Sequence, residues 1–219
     1  MSAALDRVRA AAKRLKVFPL PSAVLLPGGA LPLHIFEPRY RALIAHALET
    51  DGVFAMAQVI PGQEPFLSGT PALEEMLCVG VLSQHEVSSD GRYDVVLVGV
   101  ARAKLLRELP QANSYREVEA EVLPDASYDG PEEARLRQAV LELVARLPQD
   151  VGQRIAQVTA RAKGGMLADV VAAAIFDDAI QRYEILCELD VSTRIHVVTE
   201  ELYLLVGQLR PRKPEGLMN

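Results

Sequence analysis

Between Asp125 and Pro131 the chain reads Asp-Ala-Ser-Tyr-Asp-Gly-Pro, and across this stretch the spacing of its apolar residues changes from two to 3.6. No one regular element carries both periods. Side chains alternate across a strand but recur every three or four positions on a helix. The chain is therefore expected to be α+β in segregated form, with β structure before the turn-rich stretch and helices after it.

Before the boundary, Val53–Ile60, Leu77–Val87 and Tyr93–Val100 are short apolar runs set off by turn residues. Ser89-Asp90-Gly91 separates the last two, and Asp-Gly supplies the positive backbone angles of a tight hairpin. Arg116–Leu123 alternates strictly, Val118, Ala120 and Val122 against Glu117, Glu119 and Glu121, as a strand with one face in water does. Tyr93–Val100 is apolar at nearly every position, which suits a strand covered on both sides. A small barrel or strongly curled sheet accommodates all of these runs.

The first block, Val17–Tyr40, is divided by Pro21, Pro27 and Pro32 and by the Gly28-Gly29 pair. Each proline removes a backbone donor, which restricts the neighbouring runs to edge strands, strand ends or bulges. The block reads as two strands and a turn. A helix then begins at Glu37-Pro38, with Glu37 a candidate cap and Pro38 at the first helical position. As the one helix of this half, running to about Glu49, it is expected to plug or cover an open end of the barrel.

Beyond the boundary, Leu136, Val140, Leu143, Val144 and Leu147 line one helix face, and Val151, Ile155, Val158 and Ala162 line a second before Gly164-Gly165. Met166–Phe176 is a third segment. Asp177 or Asp178 caps a fourth, which carries Ile180, Tyr183, Leu186 and Leu189, with Gln181 placed as in a capping box. A fifth begins near Asp190 or Ser192 and holds Ile195, Val198, Leu202, Leu205 and Leu209 in register. Five such segments make an all-helical bundle. The expected organisation is an N-terminal amphipathic segment at 1–16, a β domain at 17–124, the bundle at 131–209 and a C-terminal tail at 210–219.

With 219 residues, half of them hydrophobic, the chain can bury roughly 70% of its unfolded surface. No apolar run approaches the ~20 residues of a membrane helix, so no membrane partner is expected. The first sixteen residues lack the apolar block of a secretory signal, and Leu5, Val8, Ala12 and Leu15 recur at helical spacing. Cys78 and Cys187 are solitary, which fits a reducing cytoplasm. The net charge of −6 conceals an asymmetry: residues 1–16 carry five basic groups and one acid, residues 17–209 fifteen basic groups and 27 acids. That body has the wrong sign for a surface that tracks phosphates, which argues against a nucleic-acid partner.

No catalytic set, metal site or cofactor site is expected. Neither Gly-Gly pair is followed by the Lys of a phosphate loop, and no Gly-x-Ser-x-Gly elbow is present. His34, His46, His85 and His196 fall in different elements with no metal-ligand spacing. Asp177-Asp178 and Glu132-Glu133 are read as helix N-terminal acids, not as carboxylate pairs. The long loop Pro61–Met76 carries Phe66 and Leu67, an apolar pair able equally to dock a partner or to fold back on its own barrel.

These residues carry a resemblance. The segment FPLPSAVLLPGGALPLHIFEPRYRALIAHAL resembles the N-terminal substrate-binding domain of Lon proteases, in the form found as a stand-alone bacterial protein. Val79-Gly80, the Asp90-Gly91 hairpin, YDVVLVGVARAKL, LADVV from Leu167, and FDDAIQRYEILCELDVSTR from Phe176 to Arg194 continue the likeness, so that it covers roughly residues 17–209. It implies a PUA-like β-barrel followed by a helical bundle. It also implies recognition of unfolded or exposed protein segments without catalysis, with an adaptor or chaperone-like role in protein quality control and a separate protease as candidate partner. Leu20-Pro21-Ser22-Ala23-Val24 superficially matches the Pro-Ser-Ala core around the Lon serine, but it lacks the flanking glycines and lies in the wrong domain. Ser22 is therefore not expected to be a nucleophile. Leu33, Phe36, Phe66 and Leu67 are the candidate contacts for an extended client. The alternative is RNA binding, which other PUA-like barrels perform; its signature would be steep weakening with salt. A hydrolase is the least supported class, since no nucleophile, base and orienting group can be named together.

Overall fold

The computed structural model describes residues 2–62 and 69–209. They form six strands, β1 (Leu15–Leu20), β2 (Ala30–Ile35), β3 (Val53–Val59), β4 (Leu73–Val87), β5 (Tyr93–Glu108) and β6 (Arg116–Leu123). The helices are α1 (Ser2–Ala11), α2 (Pro38–Glu49), α3 (Glu132–Val144), α4 (Gln149–Thr159), α5 (Gly165–Ile175), α6 (Ala179–Cys187) and α7 (Val191–Gln208). The chain divides into two compact units. One holds the residues up to Pro124 together with Phe176–Cys187, the other Asp125–Ile175 together with the residues from Glu188 on.

In the first unit the sheet order is β2-β5-β4-β3-β1-β6, and β6 also pairs with β5. The ring β5-β4-β3-β1-β6 thus closes into a five-stranded barrel, with β2 added outside it. Closure depends on the length of β5, whose first half pairs with β2 and whose second half pairs with β6. The apolar run ending at Val100 understates this strand, because Arg102 and Lys104 look like a strand end. They continue the alternation instead, with Ala101, Ala103 and Leu105 packed in the barrel interior.

That interior is lined by small and branched side chains, among them Val17, Val53, Ala55, Ala57, Leu77, Val79 and Val118, as a narrow barrel requires. Leu5, Val8 and Ala11 of α1 belong to the same cluster, so α1 and not α2 fills this interior. Leu15, expected on a helix face, opens β1 after a single 3₁₀ turn at Ala12–Arg14. Arg7 donates to the carbonyl of Asp51 beside Gly52, whose positive φ of 65° suits only glycine well. The α2 helix lies on the outside for a reason visible in the alternation of β1. Val17 points inward, so Phe18 points outward, and Tyr40 of α2 stacks on it at a ring separation of 4.1 Å.

The turn residues behave as their chemistry demands. Gly91 has φ of 78°, Gly91 N–H donates to Ser88 at 2.8 Å, and the Asp90 carboxylate accepts from Arg92 N–H, which closes the β4–β5 hairpin. Gly28 also has φ of 78°. Gly80 and Gly99 face each other across β4 and β5, and a Cβ on Gly80 would lie 2.6 Å from Leu97 Cγ. A Cβ on Gly99 would strike the Leu26 carbonyl, so this glycine lets the segment 24–29 cross the sheet. Gly99 N–H donates to Gly29 at 2.9 Å there.

The same bond fixes which groups of β2 face outward. With Ala30 opposite Val98 and Gly99 N–H bonded to Gly29, the Ala30, Pro32 and His34 backbone groups point away from β5. Pro32 therefore occupies an edge position whose missing donor disrupts no ladder, and it shields an otherwise open edge.

Helix α6 is fastened to the barrel by a buried cation. Arg102 donates to the carbonyls of Leu186 at 2.9 Å and Ile185 at 3.0 Å, satisfying acceptors at the helix C-terminus. At its start, Asp178 accepts from Ile180 and Gln181 N–H at 2.8 and 2.9 Å, the expected cap.

In the second unit, α3 packs on α4 and α7, and α5 packs on α7. Asp190 caps α7 by accepting from Thr193 N–H. Glu132 and Glu133 do not cap α3: Glu132 accepts from Tyr128, and Glu133 accepts from Gly164 N–H at 2.8 Å and from Arg137. Arg194 is fully buried, held by Asp125, by the Glu188 carbonyl at 2.6 Å, and by Asp169 at 3.3 Å in an ion pair without a linear hydrogen bond.

Candidate functional site

Two concavities in the first unit bear on the candidate contacts. The first is an open groove of about 430 Å³ along β2, β5 and β4. Leu33 lines it together with Pro32, His34, Gln84, His85 and Asp94. The rungs are set by register: His34 stands opposite Asp94, which stands opposite Glu86, and His34 Nδ1 lies 2.7 Å from Asp94 Oδ1. His34 is thus an exposed member of a cross-strand pair. Phe36, one residue past the end of β2, is 61% exposed, and its ring centroid lies 6.2 Å from that of His34. The structure brings Leu33 and Phe36 to the same strand end, with Leu33 half-buried. Phe66 and Leu67 lie outside the described residues.

The second concavity is more enclosed, about 300 Å³, and was not legible in the sequence. Pro19 from β1, Arg39 and Tyr40 from α2, Pro71 from the approach to β4, and Tyr115 and Arg116 at the start of β6 line it. These positions are far apart in the chain. The β1–β6 pairing, Val17 opposite Arg116, brings them together. Arg39 sits 4.7 Å above the Tyr40 ring and holds Glu37 at 2.8 Å, so Glu37, expected as a cap, makes no side-chain cap bond. Arg116 holds Glu108 and donates to the Pro71 carbonyl at 2.7 Å. Burial pushes the Tyr40 phenol up, and burial followed by the Glu117 charge does the same for Tyr115, whose hydroxyl meets His46 Nδ1. Both phenols remain protonated at neutral pH and act as hydrogen-bonding walls.

Two titratable groups at the end of α6 are shifted by their surroundings. Cys187 ends α6 beside Tyr183, and burial pushes its thiol up, away from the thiolate that nucleophilic attack needs. Burial pushes Tyr183 up as well, while its hydroxyl accepts from Met76 N–H at 3.1 Å. Among the described residues, no group of three or more His, Cys, Asp or Glu side chains could hold a metal ion. None of the described helices is long and apolar enough to cross a membrane.

A barrel closed by five strands, with an outer sixth strand and helices downstream, is the architecture of the N-terminal domain of Lon protease. The structure of that domain from Mycobacterium avium complex superposes with a TM-score of 0.68 at 20% identity, covering 87% of this chain and 98% of the other. A Lon N-terminal domain protein from Xanthomonas campestris gives a TM-score of 0.58 at 24% identity, covering 90% and 99%. The family model of the ATP-dependent protease La (LON) substrate-binding domain matches residues 14–203, and the chain belongs to that family. Curated relatives include a Lon protease of Anaeromyxobacter dehalogenans, 27% identical over 86% of this chain, and Lon protease 4 of Sorangium cellulosum, 31% identical over 83%. The chain spans less than a quarter of the length of either relative, 23% and 22%.

Proposed function

We propose that this protein is a non-enzymatic module that binds unfolded or exposed segments of other proteins in the cytoplasm, as an adaptor or chaperone-like component of protein quality control. A separate protease is its candidate partner. The observation that carries this reading is the match of residues 14–203 to a substrate-binding domain family. The client contacts are assigned to Leu33, Phe36, Phe66 and Leu67, all within the proposed β domain, 17–124. The proposed helical domain, 131–209, and the flanking segments 1–16 and 210–219 carry none of them. Affinity arises from burying apolar side chains of an extended client, at about 25 cal/mol per Å² before ordering costs are subtracted. The exposure of Phe36 supports its place in this set, since a large exposed aromatic is well suited to act as a binding anchor.

The test is fluorescence anisotropy with a labelled, reduced and carboxymethylated protein as the unfolded client. Phe36→Ser is expected to weaken binding about tenfold, the equivalent of about 1.4 kcal/mol. The double replacement Phe66→Ser with Leu67→Ser is expected to weaken it further, with melting temperatures unchanged throughout. Unaltered affinity in both variants would remove these residues from the site.

A further inference from the structure

We propose that the enclosed cleft between β1, α2 and the start of β6 binds the C-terminal carboxylate of a protein chain whose last residue is apolar or aromatic. The proposal rests on the peptide-binding reading above and assigns part of it to a second site, whose lining does not include Phe36.

Three features of the cleft specify this ligand. Its walls are two proline rings, Pro19 and Pro71, and two tyrosine rings, Tyr40 and Tyr115, which fit a flat or branched apolar side chain. Its polar side chains are dominated by donors: Arg39 and Arg116 have no accepting atom, Thr70, Gln111 and Ser114 can all donate, and among the described residues no carboxylate lines it. A donor-rich cavity calls for an acceptor-rich ligand, and a carboxylate is the richest acceptor a protein chain offers. Finally, a volume of about 300 Å³ lies at the small end of ligand pockets, enough for one terminal residue and its carboxylate.

The local field agrees with the donor pattern. Glu37 and Glu108, the carboxylates already paired with the two arginines, do not line the cleft. Their side chains are 41% and 46% exposed, against 25% for Arg39 and 13% for Arg116. Water therefore screens the acids more than the guanidiniums, which leaves the Arg39 and Arg116 side of the cleft attractive to a second carboxylate, while the buried Glu117 charge acts on the Tyr115 side. A single free terminus fits a cavity of this size, and a continuous phosphate backbone, which needs an extended basic track, does not.

The experiment uses the full chain and one ten-residue peptide ending in Phe, prepared as the free acid and as the C-terminal amide. The acid is expected to bind at least tenfold more tightly than the amide. Gln111→Glu, which adds a carboxylate at an exposed rim position, is expected to weaken the acid at least fivefold and leave the amide unchanged. Arg39→Gln is expected to reduce the acid-to-amide ratio below threefold, with the melting temperature held. Equal affinity for acid and amide would overturn the proposal, and so would displacement of the acid by single-stranded RNA with a steep salt dependence. The unfolded client, C-terminally amidated, is measured in parallel. If it binds and the acid peptide does not, the cleft assignment falls and the peptide-binding reading stands. If the acid peptide binds and the client does not, the reverse holds.

Discussion

Gly165 stands where a Cβ would run into the Arg194 guanidinium and the Asp125 carboxylate. Arg194 is fully buried, and a buried cation is tolerable only while its carboxylate and carbonyl partners stay in place. Gly165→Ala should therefore displace the ion pair and cost about 2 kcal/mol, in the range of other overpacking changes. Urea denaturation would read this as a lower midpoint with an unchanged slope. Arg194 itself lies inside the segment that carried the family likeness, but its burial was invisible there. A sequence shows that an arginine is present; it does not show that Asp169, 25 residues earlier, and Asp125 converge on it.

At the scale of elements, the hairpin at Asp90-Gly91 was legible, and the caps of α6 and α7 were narrowed to Asp177 or Asp178 and to Asp190 or Ser192, because their signals are local: a turn or cap needs only a few consecutive residues. The role of α1 was not. The spacing of Leu5 and Val8 announces a helix without saying what it packs against, and the structure puts both in the barrel cluster. Val8→Ala should consequently cost about 2 kcal/mol, as a cavity in a closed core does, where a surface amphipathic segment would lose almost nothing. Thermal unfolding distinguishes the two. For α7, the backbone N–H of Thr193 at the cap holds Asp190 below the usual carboxylate range. A depressed folded-state value contributes stability that is present above the ordinary carboxylate pKa and is lost as pH falls through the depressed one. Asp190→Asn should keep the cap acceptor near neutrality and flatten this part of the acid limb, while Asp190→Ala should lower the melting temperature at neutral pH as well.

For the whole molecule, the change of period near Asp125 marked where strands give way to helices, but not that α6, expected in the helical bundle, groups with the barrel unit, where Arg102 holds its last carbonyls. The closure of the barrel was not legible either, because it depends on β5 continuing through Arg102, Lys104 and Arg107, where charge mimics a strand end. The two concavities differ for the same reason. Leu33 and Phe36 sit close together in the chain and could be singled out from one segment. Tyr40, Pro71 and Arg116 meet only through sheet pairing. The central claim is that the chain holds the unfolded segments of other proteins by apolar burial, not by charge, and it is tested most directly by titrating a labelled, C-terminally amidated unfolded protein into the full chain at about 50 and about 500 mM salt, a span over which phosphate-driven binding collapses. Saturable binding whose affinity changes by less than threefold between the two conditions is the expected result. Failure to bind, or binding that falls steeply as salt rises, would contradict it.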